Sequence, residues 1–271
     1  MVYRFHRSGR SQFDQQHSTT SEYIIPFIEA ARSVPAGTRV LEVGCGEGGV
    51  LRAFLDRGCE GVGVERSAPR LERARELLAG ALEQENARLV NGDILDLEPE
   101  KDLGGRFDLI ILKDVIEHIP DQPRLLERLK DCLKPGGAIF FAFPPWQMPF
   151  GGHQQVCENA VLSITPWLHL LPNSLYRRAL VMGKERRERI EELLALRKTG
   201  LSLGKFERLL QRAGYRTIRR KLYLINPIYR YKFGLKPREQ FKLIGRLPYL
   251  RNFVTTCGYY LAAPENIRVA S

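Results

Sequence analysis

Four glycines and two carboxylates carry the first chemistry in this chain. In Val40-Leu41-Glu42-Val43-Gly44-Cys45-Gly46-Glu47-Gly48-Gly49, three apolar residues flank one acid and run into glycines, and an apolar-periodic stretch, VLRAFLDRG, follows. This order predicts a buried strand, a tight turn and a helix start. A turn without side chains lets backbone approach a ligand closely, and the helix start adds unpaired N–H groups. Gly44-x-Gly46-x-x-Gly49 satisfies a dinucleotide fingerprint, which alone is a weak signal. Glu65 strengthens it: it lies 21 positions after Gly44, closing the next apolar run, GVGVE, where an acid meets a ribose diol. Glu42 narrows the ligand. A carboxylate at the strand mouth repels a pyrophosphate and suits a cationic group, an ammonium or a sulfonium.

With these residues the stretch resembles the first motif of the class I S-adenosylmethionine-dependent methyltransferases, (V/L)L(D/E)xGCGxG. The resemblance implies S-adenosyl-L-methionine as cofactor, with Glu42, Gly44, Cys45, Gly46, Glu65 and Arg66 in its site. In that family an acid after the third strand accepts from the adenine amino group, and the next residue packs on the ring. Here these positions are Asp93 and Ile94; a Gly-Asp pair also makes a plain turn. Lys113-Asp114-Val115-Ile116-Glu117-His118-Ile119 resembles the family's DVxEH(I/L) segment, and Leu133-Lys134-Pro135-Gly136-Gly137 its turn before the fifth strand. Lys113 joins the cofactor set at a strand end, where it orients an anionic ligand or simply exposes its ammonium.

Methyl transfer from a sulfonium requires the acceptor about 3 Å from the methyl carbon, opposite sulfur. A base is needed only where the acceptor loses a proton. His153, in Phe150-Gly-Gly-His-Gln after the fifth strand, is the candidate base, since imidazole titrates near neutrality; the alternative is a loop histidine bonded to backbone. His118 is a second candidate with the same alternative. Trp146, Met148 and Phe150 are expected to wall the acceptor pocket, or else to pack the following insertion on the sheet. Phe143-Pro-Pro-Trp146 looks like the (D/N)PP(Y/F/W) motif of amino-methylating enzymes. It lacks the amide or acid that accepts from an amine, and it follows strand five rather than strand four.

The elements that must hold these residues alternate. Strands are expected near Val40, Gly61–Val64, Ala87, Phe107–Leu112 and Ala138–Phe143, with helices over 49–57, 67–82 and 121–133 between them. Ser67 and Asp121 are the cap candidates. Five such units predict an α/β fold with a parallel sheet covered on both faces. Ligands then sit at the C-terminal strand ends, where every motif residue falls. Two further strands, over 219–225 and 253–262, complete a Rossmann-like, doubly wound, seven-stranded sheet by the family's edge hairpin. The expected organisation is one methyltransferase domain over 1–271. It comprises an N-terminal arm and helix (1–36), a cofactor-binding core (37–150), a helical insertion or lid (151–200) and the end of the core with a basic, aromatic linker (201–271). Residues 1–20 read as an arm and 19–32 as a helix. Residues 173–198 read as one amphipathic helix with Leu175, Ala179, Ile190, Leu193 and Leu194 near one face.

Charge is divided unevenly. Residues 1–150 carry 19 Lys and Arg against 23 Asp and Glu; residues 151–271 carry 23 against 8, a net of +15. The basic half implies an anionic partner or a solvated basic surface. Five scattered cysteines without a C-x-x-C read as reduced thiols, with no metal expected. The absence of an apolar run of roughly 18 residues and of a secretory apolar core predicts a cytoplasmic enzyme, in an alternative peripheral to the membrane. The first functional expectation is O-methylation of a small-molecule, glycosyl or lipid-like acceptor. An anionic membrane surface is a candidate partner through the apolar stretch at Trp167–Leu171. RNA methylation ranks behind it, through the basic half and Tyr229-Arg-Tyr-Lys-Phe233. A non-catalytic S-adenosylmethionine-binding module is the last alternative.

Overall fold

Continuous apolar runs become the central strands because both faces of the sheet are covered. A computed structural model describes residues 9–265. Its strands are β1 (Arg39–Val43), β2 (Glu60–Glu65), β3 (Ala87–Asn91), β4 (Phe107–Lys113), β5 (Leu133–Phe143), β6 (Tyr215–Ile225), β7 (Arg238–Glu239) and β8 (Cys257–Pro264). They form one sheet in the order β3-β2-β1-β4-β5-β8-β6-β7. Strands β1 to β5 pair in parallel. Strand β8 runs antiparallel between β5 and β6, so β6 points the same way as β1 to β5. The C-terminal ends of β1, β2, β4, β5 and β6 therefore share one end of the sheet.

Side chains alternate between two cores. Leu41, Val43, Ile110, Leu112, Phe141 and Phe143 meet Leu125, Phe206 and Leu210 on one face. Val40, Leu109, Ile111 and Phe140 meet Ile24, Ile25, Ile28 and Phe54 on the other. Full burial of each such side chain contributes about 1.5–3 kcal/mol, so the two faces fix the register. The helices that cover them are α1 (Gly9–Thr19), α2 (Ile25–Glu29), α3 (Gly49–Leu55), α4 (Ala68–Leu77), α5 (Ala79–Glu83), α6 (Pro99–Asp102) and α7 (Gln122–Asp131). After β5 come α8 (Ala160–Ile164), α9 (Asn173–Met182), α10 (Arg187–Thr199) and α11 (Leu203–Arg212). The span between β6 and β8 holds α12 (Tyr229–Phe233), α13 (Lys242–Arg246) and α14 (Leu250–Val254).

Several expectations change. The sheet has eight strands, not seven, because Arg238 and Glu239 in the linker add a short antiparallel edge to β6. Strand β6 begins at Tyr215, whose hydroxyl is buried and donates to the Leu126 carbonyl. Residues 9–19, read as an arm, form α1, with Phe13 buried against Leu51 and Leu55 of α3; residues 1–8 of the arm lie outside the described residues. Asp121 caps α7 by accepting from Arg124 N–H at 3.0 Å. Ser67 stands at the α4 cap position but its side chain makes no cap bond.

The single helix expected over 173–198 is two helices. At Gly183 an added Cβ would lie 2.2 Å from Leu162 Cδ1, and Lys184 takes φ of 60°. The break turns the chain so that Tyr176 and Leu180 face Ile190 and Leu193, while Leu175 points outward. Glu185, buried at the break, accepts from Glu158 N–H at 3.1 Å and Asn159 N–H at 2.8 Å. These bonds fasten the α9–α10 corner to the start of α8. Glu185→Ala leaves two amides without partners, and a loss of about 1–3 kcal/mol is expected. Proteolysis checks where the loss falls: cleavage should concentrate near 157–186 while the core fragment survives.

Candidate functional site

One end of the site is built by carboxylates that accept from backbone amides. Strand β1 delivers Glu42 and then turns on Gly44, Gly46 and Gly48, at φ of +70°, +56° and +83°. Glu42 does not face open solvent. It is buried and accepts from the N–H of Leu51, in the first turn of α3, at 2.8 Å. Burial pushes its pKa up to about 8, against the pull of the Leu51 amide, Lys113 and Arg70. Glu65, at the end of β2, accepts from Gly46 N–H at 2.9 Å through Oε2 and from Ser67 N–H at 2.8 Å through Oε1. Cys45 is buried between these two acids, and burial followed by their negative charge raises its thiol pKa.

Two arginines complete this end, and they were missed in the sequence reading. Buried Glu47 accepts from Arg70 Nη2 at 3.1 Å and from Arg73 Nη2 at 3.0 Å. Arg70 also lies 3.8 Å from Glu65 Oε2. A Cβ on Gly46 would stand 2.2 Å from Arg70 Nη2, so the guanidinium covers the glycine turn. The available signal was an acid inside the glycine loop with two arginines on the helix after β2. Asp93 follows β3, accepts from Leu95 N–H at 3.0 Å, and has its other oxygen 3.4 Å from Arg66. Ile94 beside it is buried.

The second end of the site lies past β4 and β5. Lys113 is buried and donates to Asp114 at 2.5 Å. Burial opposes its charge, but Asp114 outweighs burial by proximity and by the hydrogen bond, and its pKa is raised. Glu117 is buried with no hydrogen-bond partner on either oxygen among the described residues. Burial, then the charge of Asp114, pushes its pKa well up. His118 and His153 meet with ring centroids 4.9 Å apart. Burial, then the neighbouring His118, drives the His153 pKa down to about 4. Its imidazole is neutral across the physiological range.

The aromatic residues of the loop after β5 divide between two spaces. Trp146 joins Glu117, His118 and His153 around a small cavity. It is fixed there because its backbone N–H donates to the Leu201 carbonyl at 2.9 Å and its backbone carbonyl meets His169 Nε2 at 2.7 Å. Met148 and Phe150 instead line a neighbouring cleft of about 410 Å³ with Ile164, Tyr229 and Lys232. Burial, then repulsion from Lys113, depresses the Lys232 pKa, with Asp114 opposing. The cleft thus reaches electrostatically to the end of β4. Among the described residues no cluster of His, Cys, Asp and Glu could hold a metal ion.

Comparison with known proteins gives a consistent result. The family described as "Methyltransferase domain" matches residues 16–219. An uncharacterised methyltransferase of Mycobacterium sp. (strain JLS) is 34% identical over 154 residues, 56% of this chain and 58% of that protein. A ubiquinone biosynthesis O-methyltransferase of Idiomarina loihiensis is 33% identical over 117 residues, 43% of this chain and 46% of that protein. The chain thus spans about half the length of the curated relatives it matches. Among solved structures, a putative sarcosine dimethylglycine methyltransferase of Galdieria sulphuraria superposes with a TM-score of 0.56 at 17% identity, over 90% of this chain and 85% of that one. That likeness concerns the fold.

Glu42 supplies a pH signature. Its carboxyl titrates near 4.5 when exposed and at about 8 in the fold. The folded state therefore binds the extra proton between those values, and stability falls as pH rises through that window. Glu42→Gln keeps an acceptor for Leu51 N–H and removes the titration. Thermal melts from pH 5 to pH 9 should show the variant gaining on the parent chain as pH rises; parallel curves would place the charge elsewhere.

Proposed function

The chain belongs to the class I S-adenosylmethionine-dependent methyltransferase family, and we propose that it methylates a hydroxyl oxygen of a small acceptor with an apolar body. S-adenosylmethionine supplies an electrophilic methyl group on a sulfonium sulfur. The residues present fit it. Glycine at position 46 keeps a cradle that a Cβ would fill. Each oxygen of Glu65 accepts one amide and keeps a lone pair for a diol hydroxyl. Arg70 lies across that approach and withdraws onto Glu47, which already holds it. Asp93 and Ile94 offer an acceptor and an apolar surface to the adenine, and Lys113 with Glu42 sets the charge beneath the reacting end.

The observation that carries the acceptor reading is the His118–His153 pair beside Trp146, past β4 and β5, next to the cleft walled by Met148 and Phe150. A cleft of about 410 Å³ falls in the range of small-molecule sites. His153 is neutral, so it accepts a hydrogen bond from a hydroxyl and turns the oxygen's lone pair toward the methyl. With a conjugate acid near 4, it orients the hydroxyl more than it strips the proton, which fits an acceptor such as a phenol that loses its proton readily. Burial of Glu117 raises its pKa and so disfavours negative charge in the same cavity. An amine acceptor is less well served, because the residue before Pro144-Pro145 is Phe143 rather than the Asp or Asn of the amino-methylating motif.

Methyl transfer from labelled donor to fractionated cell extract tests this reading. Label should enter an organic-extractable, ribonuclease-resistant product as an ether. His153→Ala should lower turnover roughly 100-fold while donor affinity stays unchanged. The rate should show no histidine limb between pH 5.5 and 7.5. Unchanged turnover in the variant, or label confined to RNA, contradicts the proposal.

A further inference from the structure

Large exposed apolar side chains are unevenly placed in this molecule. Among the described residues there are fourteen, and all fall in two segments. Seven lie between Val161 and Met182, in the insertion after β5; seven lie between Phe233 and Leu250, in the linker after β6. Leu243 is 74% exposed, Met182 73% and Tyr249 70%, values at which hydrophobic side chains gain nothing from the fold. Strands β5 and β6 run the same way, so both segments emerge from the end of the sheet that carries the site. They meet at the cleft, where Ile164 of the insertion stands with Phe233 and Leu235 of the linker. Exposed apolar surface gathered on one side marks a contact with something apolar.

Charge identifies what that is. The linker span 226–256 carries seven Lys and Arg against one acid, Glu239. Arg178, Lys236, Lys242 and Arg246 are exposed and pair with no carboxylate among the described residues. Apolar residues interleaved with unpaired cations match the boundary of an anionic bilayer, where the hydrocarbon takes the side chains and the headgroups take the charge. No helix among the described residues is long and apolar enough to cross a membrane, so the contact is peripheral. A nucleic acid would use the cations but leave Leu243, Leu247 and Met182 in water. We infer that residues 161–182 and 233–250 form a docking surface for an anionic lipid membrane, which sets the mouth of the acceptor cleft against the bilayer.

This inference extends the acceptor reading above, and donor affinity, measured on the same preparations, reports separately on methyl transfer. The experiment is cosedimentation of the full chain with phosphatidylglycerol–phosphatidylcholine vesicles, with pure phosphatidylcholine as control, at low and physiological salt. The expected result is binding to the anionic vesicles at both salts and little to the control. Leu243→Asp and Tyr249→Asp should each weaken it about tenfold with donor affinity and melting temperature unchanged. Lys242→Glu with Arg246→Glu should weaken it as well. No binding to anionic vesicles at low salt overturns the inference. So does binding that the two Asp variants leave intact, which would be adsorption of charge alone. A parent chain that is dimeric by light scattering, and monomeric as Leu243→Asp, assigns the surface to a second copy and also overturns it.

Discussion

A carboxylate at the end of β1 bonds to an amide at the start of α3, and a carboxylate at the end of β2 bonds to an amide of the turn between them. Glu42 to Leu51 and Glu65 to Gly46 hold the glycine turn from both sides. The turn has left-handed backbone at three glycines, a conformation of low intrinsic preference that needs fixing from outside. Burial makes these bonds strong and makes an unpaired alternative costly. The same low-dielectric setting raises Glu42 toward neutrality. The acid that favours a cation is thereby also the strut of the loop, and its charge is governed by what stands nearby. Lys113 and Arg70 are those neighbours.

The acceptor end follows a different principle. Its polar groups are not satisfied by backbone; they are set against one another. Lys113 is matched by Asp114, Asp114 is felt by Glu117, and Glu117 stands beside His118, which adds to burial in lowering His153. The result is one ion pair, one buried acid whose ionisation is disfavoured and a neutral imidazole in a small space. Such an arrangement suits the uncharged hydroxyl acceptor proposed above. It sits on loops after β4 and β5, where the scaffold is rigid and the connection can vary.

The donor end was legible in the sequence because its chemistry is local. Glycine spacing, an acid before it and an acid at the next strand end are all one-dimensional patterns. The alternating βα order gave the sheet for the same reason. What stayed hidden needed contacts distant along the chain. Glu47 reads as a loop acid until Arg70 and Arg73 close on it. Glu185 reads as one more charge on a helix, yet it is buried at the break that divides that helix and bonds to the Glu158 and Asn159 amides. The outward turn of Leu175 follows from that break and not from the 3.6-residue period. The short strand at Arg238 is too brief for any periodicity to reveal.

Glu65 is where these lines converge, since it bonds to the Gly46 amide, lies 3.8 Å from Arg70 and is the carboxylate proposed for the donor's diol. Calorimetric titration of S-adenosylhomocysteine into the parent chain and into Glu65→Ala tests the account at that point. The account predicts a single site per chain and an affinity at least about tenfold weaker in the variant, from the loss of charge-assisted hydrogen bonds, with both proteins folded by circular dichroism. Equal affinity in the two folded proteins, or no binding to the parent chain, would contradict it.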